Sequence, residues 1–162
     1  MVQNFVIPHS RPTLDESDLL SVSKVIRSGR IVQGEVVEKF ENKVAKYIGV
    51  DGAVAMNTGT SALHLSLLAI GIKEGDYVAM PSFVCTALLN AVRYVGAHPT
   101  LVDIDPKTYN IDIRDLKKRV KRSTKAIILP HLFGLSADID EIISLGIPII
   151  EDCAQSIGAV YK

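Results

Sequence analysis

The sequence predicts an α/β fold of three layers, with helices on both faces of a mostly parallel sheet. Three observations carry that expectation. Short apolar runs of strand length alternate with longer stretches of helical periodicity. The apolar runs lack the hydrophobic–polar alternation of a half-exposed sheet, so both faces are expected to be covered. Glycines recur where the helical stretches should stop, as the left-handed residue after a helix requires.

Taken in order, "TLDE" at 13–16 can form a capping box, Thr13 with Glu16, opening a helix that runs to Ser28-Gly29. A second helix carries Val36, Val37, Phe40, Val44, Tyr47 and Ile48 on one stripe and stops at Gly49. Five strand candidates follow: "AVAM" (53–56), "YVAM" (77–80), "TLVDI" (100–104), "KAIILP" (125–130) and "IPII" (147–150). Between them lie helices over about 60–70, ended by Gly71, about 84–95, ended by Gly96, about 112–121, capped by Asp112, and Ser136 to Leu145, ended by Gly146. The expected organisation is a pair of N-terminal helices over about 1–50 and an alternating β/α region over 51–162.

The chain has 162 residues, 48% of them hydrophobic, enough for one core of ordinary single-domain size. Its 18 basic and 18 acidic side chains cancel, which removes any general electrostatic reason to expect nucleic acid or an anionic membrane as partner. The run "KKRVKR" at 117–122 reads as the solvated face and end of a helix. No apolar stretch approaches the ~20 residues of a membrane span, and "MVQNFVIPHSRP" lacks the basic start and apolar core of a signal peptide, so a cytoplasmic location is expected. Cys85 and Cys153 have no CxxC spacing, which indicates neither a disulfide framework nor a metal site. Cys153 is expected to be a small buried residue filling a gap.

In sheets of this kind ligands gather beyond the carboxyl ends of the strands. The segments that fall there are "NTGTS", "PSFVCT", "DIDP", "HLFG" and "EDCAQS". In "NTGTS" (57–61) Gly59 allows close backbone approach, while Thr60 and Ser61 offer hydroxyls and amides at a helix start, a place to hold a phosphate. The same Thr60 could equally be a plain N-cap. Asp152 ends an apolar strand, where an unpaired carboxylate costs several kcal/mol unless a cation or donors meet it, on the order of magnitude set by ion desolvation. It could also be a solvated strand end or a cap. One ligand would use both features: a planar heterocycle with a phosphate at one end and a protonatable ring nitrogen at the other. Pyridoxal phosphate fits, because an acid beside its pyridine nitrogen keeps the ring protonated.

These segments carry a resemblance that runs the length of the chain. Through "IPHSRPTLDESD", "SGRIVQGEVVEKFE", "NTGTSALHLSLLAIGIKEGDYVAMPSF", "AHPTLVDIDPKTYNID", "TKAIILPHLFG" and "PIIEDCAQSIGA", the sequence resembles the DegT/DnrJ/StrS family of pyridoxal-phosphate-dependent sugar aminotransferases. The resemblance implies that the chain is the N-terminal part of the large cofactor-binding domain, without the family's small C-terminal domain. It implies that Thr60 and Ser61 hold the phosphate, Asp152 partners the pyridinium, Gln155 sits beside the ring oxygen and Gly34 lines the substrate entrance. His131 falls near the site or packs the strand-to-loop corner. Cys85 stands where the family usually has an aromatic or histidine ring over the cofactor, and a thiol cannot stack as broadly.

Transamination also needs a lysine that forms the Schiff base with the cofactor and shuttles the proton. The family's lysine lies beyond "EDCAQSIGA", and none of the eleven lysines here takes its context, Lys162 included. No catalytic residue is therefore assigned, and the chain alone is expected to be inactive. The implied substrates are a nucleotide-linked keto sugar and an amino-acid donor, and the implied partner is a second copy or a complementing C-terminal half. A sugar dehydratase of the same family, a non-catalytic assembly half and a generic nucleotide-binding domain stand as alternatives.

Overall fold

The computed structural model describes residues 10–162. The start of the chain, including the "IP" that opens the first family-like segment, lies outside them. The chain forms two compact units, Met1–Ala53 and Val54–Lys162.

The first unit holds two helices, α1 (Glu16–Ser28) and α2 (Glu35–Ile48). The capping box that opens α1 sits two residues later than expected. Asp15 accepts from the Ser17 and Asp18 amides, and Asp18 reaches back to the Asp15 amide at 2.9 Å. An aspartate caps as well as a threonine and adds a negative charge at the positive end of the helix dipole, which favours this register over Thr13 with Glu16. Hydrogen bonds from the Ser17 hydroxyl and amide hold the Asp15 carboxyl below its ordinary value. Gly29 and Gly49 close α1 and α2 with φ of 69° and 82°, a left-handed turn that glycine makes without strain. Among these residues α1 buries none and α2 buries only Ala45, leaving Leu19, Leu20, Ile26, Phe40, Tyr47 and Ile48 exposed.

The second unit is the α/β layer. Its helices are α3 (Gly59–Ala69), α4 (Thr86–Tyr94), α5 (Ile113–Arg119) and α6 (Ile139–Ile143); its strands are β1 (Tyr77–Pro81), β2 (His98–Val102), β3 (Thr124–Pro130) and β4 (Ile149–Asp152). The sheet order is β2-β1-β3-β4 and every pairing is parallel. Four of the five expected strands form. The fifth, "AVAM", is not one of the sheet's strands. The helix expected over Ser136–Leu145 shortens to α6; ahead of it the Ala137 amide donates to the His131 ring and the Leu135 amide turns back onto the Leu132 carbonyl.

The pleat divides the core in two. On one face Val78, Met80, Ala126 and Ile128 pack beneath α3 and α4 through Leu63, Leu67, Leu88 and Val92. On the other Ala79, Ile127 and Leu129 pack against α5 and α6 through Leu116 and Ile142. The α5 N-terminus is closed by Asp112, which accepts from the amides of Arg114 and Asp115. The three-layer α/β expectation therefore holds for this unit.

Candidate functional site

The alternation of side chains along β4 sets the site. Ile149 packs toward α5 and α6 and Ile150 toward α3 and α4, so the two carboxylates that follow diverge. Glu151 faces the α5/α6 side and Asp152 the side covered by α3 and α4. The acidic pair of "EDCAQS" is thus one group for each face, and only Asp152 belongs to the expected pocket.

On its own face Glu151 is consumed by the protein. The buried His131, 3% exposed, lies 2.9 Å through Nε2 from Glu151 Oε2, and its Nδ1 accepts the Ala137 amide at 3.1 Å. Because Nδ1 accepts, the ring proton resides on Nε2 and is donated to Glu151. His131 therefore staples the end of β3 to the end of β4 and to the loop before α6, the packing role that the sequence left open. The ligand atoms of His131, Glu151 and Cys153 lie within 4.8 Å of one another. A cation at Nε2 would have to displace the ring proton, and the Ala137 amide blocks its transfer to Nδ1.

Asp152 is half-buried, and its Oδ1 accepts only the Ala154 amide, at 3.1 Å. Its Oδ2 has no partner among the described residues. Asp152, Cys85, Gln155, His131 and Val84 line one cavity of about 70 Å³. Gln155 points its Oε1 at the Phe133 amide, 3.0 Å away, which leaves its Nε2 amino group as a donor without a partner among the described residues. Cys85 occupies the residue before α4 and is exposed, with no side-chain cap bond. Of the residues singled out in the sequence, four meet at this cavity: Cys85, Asp152, Gln155 and His131, which both packs the corner and lines the cavity.

Thr60 and Ser61 lie in the first turn of α3, on the sheet face toward which Asp152 points, and are not among the cavity's lining residues. The cap of α3 is Thr58, not Thr60: Thr58 Oγ1 accepts the Ser61 amide at 3.0 Å and donates to Ser61 Oγ at 2.9 Å. No acidic residue occupies this first turn, and a side chain built on Gly59 would meet nothing within 4 Å. The turn is electropositive and open on its outer side. Gly34 belongs to the first unit, at the cap of α2, with φ −178° and ψ −159°. Any residue adopts that backbone, so the local fold does not demand a glycine there.

One further expectation is corrected. Cys153 is exposed rather than a buried filler, because it follows the last residue of β4 and lies past the strand's packed register. Its sulfur is still partly desolvated, which raises the thiol, and the neighbouring Glu151 and Asp152 charges push the same way. A wider cleft, about 840 Å³, lies elsewhere, between the loop after β2 and residues 135–142. Its charges are largely paired, Asp112 with Arg114, Glu141 with Lys117 and Asp140 with Lys162. The Asp140 contact also raises the Lys162 ammonium, which lines this wider cleft and not the cavity of Asp152.

Residues 12–162 match the DegT/DnrJ/EryC1/StrS aminotransferase family. The chain belongs to that family. Among DegT/DnrJ/EryC1/StrS relatives it is 38% identical over 161 residues to the GDP-perosamine synthase of Escherichia coli O157:H7, covering 96% of this chain and 44% of that protein. It is 36% identical to the UDP-4-amino-4-deoxy-L-arabinose–oxoglutarate aminotransferase of Shewanella sediminis, covering 99% and 42%. The solved structure of a GDP-4-keto-6-deoxymannose-3-dehydratase with a trapped PLP–glutamate geminal diamine superposes with a TM-score of 0.89 at 31% identity, covering 96% of this chain and 43% of that one. The chain thus spans less than half the length of the relatives it matches. Sequence reasoning missed the His131–Glu151 staple and the Thr58 cap. The first joins residues 20 apart with no local pattern; the second was legible as a threonine directly before Gly59.

Proposed function

We propose that this chain is the cofactor-gripping part of a pyridoxal-phosphate-dependent aminotransferase that acts on a nucleotide-linked keto sugar with an amino acid as donor. The observation that carries the reading is Asp152. It ends a core strand, faces the α3/α4 side, lines a cavity with Cys85 and Gln155, and keeps one carboxylate oxygen uncommitted. That is the acceptor a protonated pyridine nitrogen calls for. The open, acid-free first turn of α3 on the same face suits a phosphate.

In this reading Asp152 holds a proton on the ring nitrogen, where a carboxylate favours the charged form. Thr60 and Ser61 hold the phosphate through hydroxyls and helix amides, Gln155 donates from Nε2 to the ring oxygen, and Cys85 touches the ring face. Gly34 leaves room at the substrate entrance. The cofactor, when bound, supplies an electron sink for a carbon that gives up a proton. None of the residues lining the Asp152 cavity is a lysine, and in this reading the covalent and proton-shuttling amine comes from another part of the complete active site. The exposed apolar residues of α1 and α2 support association in the cell, with a second copy or a complementing C-terminal half. Among the described residues no helix is long and apolar enough to cross a membrane, and a cytoplasmic location is the proposal.

The test is an absorbance titration with pyridoxal phosphate and its amine form. Asp152→Ala should weaken binding about a hundredfold, the scale of a lost charge-assisted hydrogen bond, while the melting temperature stays within a degree or two. Equal affinity in the variant would contradict the assignment. A second reading, a sugar dehydratase with the same cofactor, is favoured by the solved 3-dehydratase that superposes on the chain. The residue that stands at the lysine position of the complete active site separates the two.

A further inference from the structure

We propose that Asn110, buried outside the cofactor cavity, is a positioning residue that orients Gln155 toward the cofactor through the loop after β3. The proposal rests on the cofactor reading of Gln155 and adds to it what holds that side chain.

Asn110 is 4% exposed, and both ends of its amide are spent on one loop. Its Oδ1 accepts the Leu132 amide at 3.0 Å and its Nδ2 donates to the Leu135 carbonyl at 2.9 Å. The turn so bracketed closes on itself, Leu135 amide to Leu132 carbonyl. At its centre stands Phe133, 70% exposed, with φ 55°, a left-handed backbone that a non-glycine residue adopts only where its surroundings over-determine it. Neither the ring's burial nor a helix explains that conformation. In this turn the Phe133 amide donates to Gln155 Oε1 at 3.0 Å.

This single bond decides which end of the Gln155 amide faces outward. Were the loop to relax, oxygen and nitrogen could exchange, and an acceptor would face the electron-rich ring oxygen instead of a donor. Asn110 itself is held by a second left-handed residue, Tyr109 with φ 61°, and by the isolated bridge between Ile104 and Ile111. The path therefore runs from the loop after β2, through the turn after β3, to the loop after β4. Three segments distant in sequence are locked to set one hydrogen-bond donor.

The experiment uses this chain, with pyridoxamine phosphate as the probe and amide hydrogen exchange as a readout independent of it. Asn110→Ala should speed exchange of the Phe133 amide at least tenfold and weaken probe binding about as much as Gln155→Ala does, roughly tenfold. The double variant should bind no more weakly than Gln155→Ala alone, because Asn110 acts through that side chain. Ile142→Ala, a buried change in α6 off this path, should lower the melting temperature without either effect. Losses that add in the double variant, or an unchanged Phe133 exchange rate in Asn110→Ala, overturn the proposal. If Gln155→Ala leaves affinity unchanged while Asn110→Ala still frees the Phe133 amide, the positioning stands and the cofactor reading of Gln155 fails.

Discussion

Glu151 and Asp152 are neighbours in sequence with the same functional group, yet the pleat sends them to opposite fates. Glu151 is spent within the protein, accepting a hydrogen bond from Nε2 of a buried histidine. Asp152 engages a single backbone amide and keeps an oxygen turned to a cavity. A carboxylate satisfied by its own chain is a structural part; one brought to the same strand end and left unsatisfied implies something still to be bound. Asp112 extends the first class. Hydrogen bonding from the Arg114 side chain, with the helix amides, holds its carboxyl down to about 2.

The comparison breaks most readily on the Glu151 side. Replacing Asp152 with Asn should weaken cofactor affinity by up to about a hundredfold and leave folding intact, whereas Glu151→Gln should leave affinity within about twofold and lower stability by roughly 1 kcal/mol, the scale of one charge-assisted hydrogen bond in a partly exposed pair. Parallel titration and thermal melts read both. If Glu151→Gln proved the more damaging to binding, the division by face would be wrong.

His131→Ala sharpens the same contrast with the largest effect on folding. It strands the Ala137 amide, opens a void at a buried corner and should cost about 2–3 kcal/mol in urea unfolding. A loss below 0.5 kcal/mol, on the same scale of a lost buried hydrogen bond, would mean that the staple is not structural.

Asp112→Ala removes a cap and should cost about 1 kcal/mol at neutral pH. Since the folded carboxyl is depressed, its contribution is present above the unfolded value near 4 and is lost as pH falls from there toward 2. Unfolding curves of parent and variant should therefore converge over that window, and a constant difference down to pH 2 would contradict the cause assigned. The smallest effect concerns Cys85. A tyrosine there should tighten cofactor binding about threefold by stacking, and weaker binding would show that the cavity is fitted to the thiol.

Much of this was legible in the chain because local chemistry announces it. The apolar runs of the central strands β1 and β3 are buried on both faces and so read as unbroken, and Gly29 and Gly49 mark helix ends that the backbone makes left-handed. "AVAM" reads the same way and does not enter the sheet, since pairing is a property of two segments and the run shows only one. Thr13 and Asp15 are both competent caps, and only the carboxylate's charge and the reach of Asp18 decide between them. The divergence of Glu151 from Asp152 follows from the period of two once β4 has a face, which its own four residues do not reveal. The Asn110 bracket and the His131 staple join segments 20 or more residues apart, and no spacing rule signals them.

The central claim is that Asp152 keeps a proton on a pyridine nitrogen. The direct measurement is the ring ¹⁵N chemical shift of labelled pyridoxamine phosphate bound to this chain, taken above the free ring's own pKa. The account predicts a protonated nitrogen in the parent and a neutral one in Asp152→Asn. A neutral ring in the parent, or a shift indifferent to the substitution, would contradict it.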